Sequence, residues 1–315
     1  MYLQQMSIVR IAGVAALAVL ITGSWTIAQD ASRYVVSAKA GGINYVSGDA
    51  NIKRAARSDV SPASVKDSME SGDELRTGSQ GRSEVLLNPG SYLRVEGNST
   101  VQLTDASIES LRVDILAGRA IFEVAGKGDE FAPVAINAAG TSFTLRERGI
   151  YSFQILPNST VLLRVYKGKI SVRGNDVKDG REIVVGPAIT TAAAKFDKDN
   201  VDDFSSWSSR RAESIAAVNR KLSDSSINSL YSSYGSRSNG FRRGGYWLWD
   251  PFYSTRTFLP FNSGWSSPYG FGYHRHLRSI RYGGFGIFSN PRPRINIVHR
   301  VHRPVIIRHG GGRKH

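Results

Sequence analysis

From Tyr34 to about Ala194 the chain sustains no helical period: apolar and polar residues alternate in short runs, and the runs end in Gly, Asn, Asp or Pro. Alternation with a period of two puts every second side chain on one face, while the interrupting residues tolerate positive φ or preset a turn. The runs are residues 33–39, 83–87, 91–96, 100–104, 111–116, 119–125, 134–137, 142–147, 151–156, 160–166, 169–173 and 181–185, separated by NPG, EGNS, LAG, LPNS, KGK and KDG. Strands this short and this regularly punctuated predict an antiparallel sandwich, roll or barrel and exclude βαβ units. The expected fold is therefore all-β: an antiparallel β-sandwich or β-roll of short strands, followed by one amphipathic helix and a largely disordered tail.

The densest glycine spacing lies in GDELRTGSQGRSEVLLNPGSYLRVEGNSTVQL, residues 72–103. A phosphate-binding loop needs a helix after it, because the helix N-terminus supplies part of the anion site. Here Gly78-Ser79-Gln80-Gly81 leads into SEVLL and then Asn88-Pro89-Gly90, and no Gly-Lys-Ser/Thr appears. The glycines read as turns between strands, and no cofactor is expected.

The order of these turn residues resembles the FecR domain of periplasmic regulators and exported envelope proteins. Gly72, Asp73, Leu75, Thr77, Gly78, Gly81, Arg82, Gly90, Ser91 and Thr100 follow its sequence of elements. Leu116 to Gly118, then Gly140, Thr141 and Phe143, then Gly168 with its flanking lysines, fit the rest. The pattern departs at LNPG, where an acidic residue more usually precedes the glycine, and at INAAGTSF, which lacks Arg-Gly-Thr. The resemblance covers about Tyr34 to Ala194. It implies an all-β periplasmic module that transmits or scaffolds through protein contact, without chemistry. Signalling members handle a sigma factor with a cytoplasmic segment, and ten residues before the apolar stretch are too few for one.

Those first ten residues end in Arg10, IAGVAALAVLI spans 11–21, and Thr26 and Ala28 precede Gln29. This is the layout of a secretory signal peptide. A retained anchor stays open, since residues 11–28 approach the ~20 a bilayer needs. The absence of cysteine from the chain removes disulfides, thiolate chemistry and sulfur-bound zinc. Charge is unevenly placed: 18 of the 41 Lys+Arg but 3 of the 26 Asp+Glu lie in residues 210–315, so the net +15 belongs to the last third.

Asp197 to Asp203 looks briefly like a calcium loop, but Val201 stands where an oxygen is needed, so a solvated linker is the better reading. Beyond it Phe204, Trp207, Ile215, Val218 and Leu222 fall at helical spacing, interrupted at Arg211, with Asp202 or Asp203 as N-cap. Such a helix either docks on the sheet or meets a partner, with Trp207 as a candidate contact. From Ser223 the composition turns to Ser, Gly, Arg and aromatics, which predicts a loosely extended segment. Within it Arg242, Arg243 and the cluster Tyr246, Trp247, Leu248, Trp249 are candidate contacts. Arginine and aromatic mixtures suit single-stranded nucleic acid, but an export signal argues against that partner and favours protein, anionic lipid or cell-wall polymer. All six histidines lie among arginines in the last 42 residues, a poor setting for a metal.

The domains so expected are 1–28, signal peptide or membrane anchor; 33–195, the FecR-like β domain; 202–223, the amphipathic helix; and 224–315, the Arg/Gly/aromatic tail. No catalytic motif and no histidine within the β body support an enzyme; a pair such as Asp73 with Glu84 reads as surface charge. The functional expectation is a non-enzymatic exported envelope protein that binds, scaffolds or relays a signal. The alternatives are a membrane-anchored, sigma-linked regulator and a glycan-binding β protein. Removing Ser236 to His315 is expected to leave the β body folded.

Overall fold

The computed structural model describes residues 36–277, except 38, 58, 127–131, 225–226 and 228–243. Two large sheets face one another. The first has eight strands in the order β18 (Ala194–Lys195), β17 (Arg181–Val185), β14 (Val161–Lys167), β13 (Gly149–Ile155), β10 (Arg119–Val124), β7 (Tyr92–Val95), β6 (Arg82–Leu86) and β2 (Ile43–Ser47). The second has seven: β12 (Thr141–Leu145), β11 (Val134–Ala138), β9 (Arg112–Ala117), β8 (Thr100–Asp105), β5 (Glu74–Thr77), β3 (Ala50–Lys53) and β4 (Val60–Pro62). Smaller sheets pair β15 (Lys169–Val172) with β16 (Asn175–Lys178), and join β1 (Val36–Ser37), β19 (Gly245–Asp250) and β20 (Thr255–Pro260) in that order.

The chain passes from one sheet to another at single-glycine corners, from large sheet to large sheet at Gly118 and from the eight-stranded to the small β15–β16 sheet at Gly168. Gly118 alone separates β9 from β10, and Gly168 alone separates β14 from β15, with φ of 76° and 96°. A Cβ at Gly118 would lie 2.2 Å from Ser99 Oγ, and one at Gly168 2.5 Å from the Tyr151 hydroxyl, so both torsion and space demand glycine. Because β10 lies in the opposite sheet, the chain re-enters beside β9 in parallel with it, as β11; every other described pairing is antiparallel.

Between the sheets lies the main core, with Leu93, Val95, Phe122, Phe153 and Leu163 from one side and Ile52, Leu75, Val113, Ile136 and Phe143 from the other. Phe153 meets Phe122 and Phe143 edge-on, at 5.5 and 5.1 Å between ring centroids. At roughly 1.5–3 kcal/mol per fully buried side chain, this layer is the main apolar stabilisation of the molecule.

A third layer covers the other face of the eight-stranded sheet. It consists of α1 (Asp203–Lys221) and the β19–β20 hairpin. Ile215 and Ala216 of α1, with Trp247 and Phe258 of the hairpin, pack on Leu86 and Tyr92 of the sheet. The central strands are thus buried on both sides, and all six residues of β10 are buried. Residues 244–277 therefore depart from the expectation of a loosely extended segment from 224 onward. Their aromatics find a ready apolar floor in the sheet, which no aliphatic-poor segment could build alone. A cut at Ser236 would remove β19 and β20 and uncover Leu86 and Tyr92. Several described strands escape the alternation reading, among them β3, β5 and β16, because each has only one or two buried apolar residues. Among the described residues no helix is long and apolar enough to cross a membrane.

Candidate functional site: a charged layer between sheet and helix

Strand alternation turns Glu84 of β6, Arg94 of β7, and Arg119 and Glu123 of β10 toward the third layer, away from the apolar core. In register, Glu84 stands opposite Arg94, and Arg94 opposite Ile121, two residues from Glu123. Arg94 donates from Nε to Glu84 Oε2 at 2.8 Å, and from Nη1 to Glu123 Oε2 at 2.7 Å and to Ser208 Oγ of α1 at 3.0 Å. All three charged side chains have no exposed surface. Arg211 of α1 adds a second cation, its Nη2 2.9 Å from Glu84 Oε1. Asn44 donates to the same oxygen, and Ser267 donates to Glu123 Oε1. Two carboxylates and two guanidiniums thus balance in a space that is dry except at Arg211, which is partly exposed.

The carboxylates differ. Burial pushes both upward, but Arg211 and Arg94 together hold Glu84 below its ordinary value. Glu123 has only Arg94 and the Ser267 hydroxyl against the same burial, and stays raised. The two directions differ because Glu84 faces two cations and Glu123 one. Burial alone would lower Arg94, whereas Glu123 and Glu84 raise it, so it remains charged. Arg94 Nη2 and Arg211 Nε have no hydrogen-bond partner among the described residues. This arrangement has no open face for a substrate. Its chemistry is to orient: three elements meet with few directional bonds.

A second contact holds the start of α1. Asp202 caps the helix by accepting from Ser205 N at 2.7 Å, and its other oxygen takes Arg119 Nη1 at 2.7 Å. Arg119 also donates to Ser205 Oγ and Ser152 Oγ, with its guanidinium 5.3 Å from the Phe204 ring. Arg82 reaches Asp203 at 2.5 Å and lies 5.6 Å from the Trp207 ring. Acidic residues at a helix N-terminus suit the dipole there, and the cap chosen from the two adjacent aspartates is Asp202.

The residues singled out from the sequence separate into three settings. Asp73 is a buried clamp: it accepts from the N–H of Ala55 and of Glu70 and from Arg54 Nη1, each at 2.9 Å. Burial raises its pKa, but these donors outweigh it and hold the carboxyl below the usual range. It and Glu84 have wholly separate partners, which removes them as a carboxylate pair. Thr77 donates to Glu96 O and accepts from Ser99 N; Gly78 accepts from Gly81 and Asn98 through its carbonyl; Ser91 Oγ accepts from Ala125 N. Gly72, Gly90 and Gly140 have positive φ at turns, Gly81 approaches Asp49 O, Thr100 opens β8, Thr141 opens β12, and Leu75 and Phe143 are core.

The candidate contact residues are placed differently. Trp207 is buried, stacked on Phe204 and tilted against Tyr45, so of the two expected settings of the helix the docked one is found. Trp247 is fully buried on Tyr92 and Phe258, Tyr246 meets Phe261 edge-on, and Trp249 carries Arg256 at 5.1 Å. Arg242 and Arg243 lie outside the described residues, as do four of the six histidines. Among the described residues no group of acidic or histidine side chains could hold a metal. The residues that sequence reasoning missed include Arg94, Arg119, Glu123, Asn44 and Asn219. Asn44 and Asn219 both donate to carbonyls of β20, at Arg256 and Phe258, and so cover its outer edge. The only advance signal was a charge in mid-strand in SYLRVE and RAIFEVA.

Residues 73–171 match the family described as FecR protein. Both Glu84 and Arg94 lie inside the matched span, as do Arg119 and Glu123, whereas α1 and the hairpin follow it; the charged layer joins the matched span to what comes after. Two crystal structures, each described as a "putative anti-sigma factor" from Parabacteroides distasonis ATCC 8503, are similar to this chain. One has 14% identity and a TM-score of 0.33, covering 40% of this chain and 61% of that one. The other has 12% identity and a TM-score of 0.34, covering 51% and 92%. No curated protein matches the sequence.

Proposed function

We propose that this chain is a non-enzymatic regulator of a bacterial cell envelope, exported or anchored through residues 1–28, that relays or scaffolds by protein contact through its FecR domain. The observation that carries this is the FecR match over residues 73–171. The docked third layer fits the same reading. A layer held by a few oriented ion pairs between two apolar patches has one defined seat, and a protein that competed for Arg94 or Glu84 would release it as a unit. The basic segments beyond the hairpin are the part that meets anionic envelope material, and export makes nucleic acid the disfavoured partner.

The test is transcript profiling of a strain lacking the chain, complemented by the wild type or by Arg211→Ala. A regulator changes a defined set of transcripts, the wild type restores them, and the variant with the weakened seat restores them incompletely. Unchanged transcripts in the deletion strain would remove the regulatory reading and leave scaffolding. A fusion of alkaline phosphatase after Leu277 checks export; enzyme inactive for lack of export counts against the envelope assignment.

A further inference from the structure

The β19–β20 hairpin ends in an unusual knuckle. Phe252 is 83% exposed, the highest value for any large apolar side chain among the described residues, and neighbouring Tyr253 is 38% exposed. Their rings meet edge-on at 4.8 Å. The other exposed large apolar residues, Val60, Leu116, Ile189 and Val201, stand singly on separate parts of the chain. The knuckle is built rather than loose: Asp250 Oδ1 accepts from the N–H of Phe252 and of Tyr253, which turns the acid inward and the rings outward.

Positive charge borders it. Lys221, in the last turn of α1, donates to the Tyr253 hydroxyl at 2.8 Å with its ammonium 4.7 Å from the ring. Arg220 beside it is exposed, whereas Arg256, over Trp249 just below the turn, is turned to the carbonyls of Ile43 and Val65. The nearby acid Asp224 is taken up by Arg275. Aromatic tips framed by Lys and Arg suit the boundary between headgroups and acyl chains of an anionic bilayer.

The direction of β1 supplies an independent reason. Val36 pairs with Leu248 and Ser37 with Trp247, antiparallel, so the N-terminal end of β1 points toward Asp250 and the knuckle. Seven residues separate Val36 from Ala28, where the apolar stretch ends, and the eight Cα steps reach at most roughly 28 Å. If that stretch is retained in a membrane, the same membrane lies within reach of the knuckle.

We propose that this knuckle is a lipid-contact site, with Phe252 and Tyr253 entering the interface of an anionic bilayer and Lys221 and Arg220 meeting its headgroups. The inference rests on the envelope setting proposed above. Because the chain has no cysteine, Phe252→Cys in the full chain takes a single environment-sensitive fluorophore such as NBD, and Val60→Cys gives a remote exposed control. Each is mixed with vesicles of phosphatidylethanolamine and phosphatidylglycerol, or of phosphatidylcholine alone. Residues 11–28 tether both proteins equally, so the readout is the depth of the label and not attachment.

The expected result is a blue shift and several-fold gain in emission at 252 with the anionic vesicles, quenched by lipid-borne spin labels, and neither effect at 60. Lys221→Gln with Arg220→Gln should reduce the gain. A label at 252 that stays dim overturns the proposal. So does one already blue-shifted without lipid, which would mean that the chain's own residues or a second copy cover the knuckle. An equal gain with phosphatidylcholine, or no loss in the lysine and arginine variant, overturns the anionic requirement. A dim label with an intact transcript response sinks this inference alone; a bright label without that response sinks the regulatory reading alone.

Discussion

The eight-stranded sheet has two buried faces that are held in opposite ways. Its inner face meets the seven-stranded sheet through Leu93, Val95, Phe122 and Phe153, with no ion pair among them. Its outer face carries Glu84, Arg94, Arg119 and Glu123 between two small apolar patches, one around Leu86 and Tyr92 and one around Ile121 and Ile150. Apolar contact is non-directional and depends on area, so the inner face holds by close packing of side chains and not by paired charges. Charge pairs in a dry space are directional and costly to break, so the outer face admits its third layer in one position. Stability and specificity are thereby assigned to different sides of the same strands.

The comparison can be broken most severely by truncation. Ending the chain before Gly244 removes the cover of Leu86 and Tyr92 and should abolish cooperative unfolding of the α1 layer, whereas ending it after Leu277 should leave the melting profile unchanged; calorimetry separates the two. Next, Arg94→Met leaves buried Glu123 without a cation and Glu84 with Arg211 alone, and should cost about 3–5 kcal/mol, read from the denaturant midpoint. Arg94→Met combined with Glu123→Leu leaves Glu84 with Arg211 and should recover most of that loss. If the double variant is as unstable as the single one, the outer face is held by volume after all. On the inner face, Phe122→Ala should cost a similar ~3–5 kcal/mol through its cavity, with no partner substitution able to restore it by charge.

Smaller effects sharpen the picture. Asp202→Ala removes the cap of α1 and a partner of Arg119, and should cost on the order of 1 kcal/mol, seen as reduced hydrogen-exchange protection in the first turn of α1. The pH response should also split by site. Glu123 has a raised folded pKa, so the folded protein keeps a proton that the unfolded chain releases; its contribution falls as pH rises from the ordinary 4.5 through the folded value. Asp73 has a lowered pKa, so its contribution is present above the ordinary 3.8 and is lost as pH falls through the folded value. Glu123→Gln should flatten the first limb and Asp73→Asn the second, measured by unfolding at stepped pH.

Much of the fold was legible in advance because its signals are local. The turn residues of 72–103, the alternation of β7 through β14, and the helix from Asp202 with its apolar stripe depend on neighbours in sequence. The interruption of that stripe at Arg211 was legible too, but not its meaning, since its partner Glu84 lies 127 residues away. Trp207 and Trp247 read as contact residues without a stated surface, because an aromatic in a polar segment looks the same whether its floor belongs to another molecule or to this one.

The sequence by itself determined that this chain folds as short antiparallel strands turned by glycine, carries a FecR pattern, and continues into a helix. Its turn chemistry and alternation act over a few residues, and nothing distant can override a residue as constrained as Gly118. Only the tertiary structure decided that Glu84, Arg94, Glu123 and Arg211 meet, that the hairpin closes over them, and that Phe252 is left outside. Those outcomes depend on which strand lies beside which and on which face a third layer covers, and sheet order is set by contacts between residues far apart in the chain.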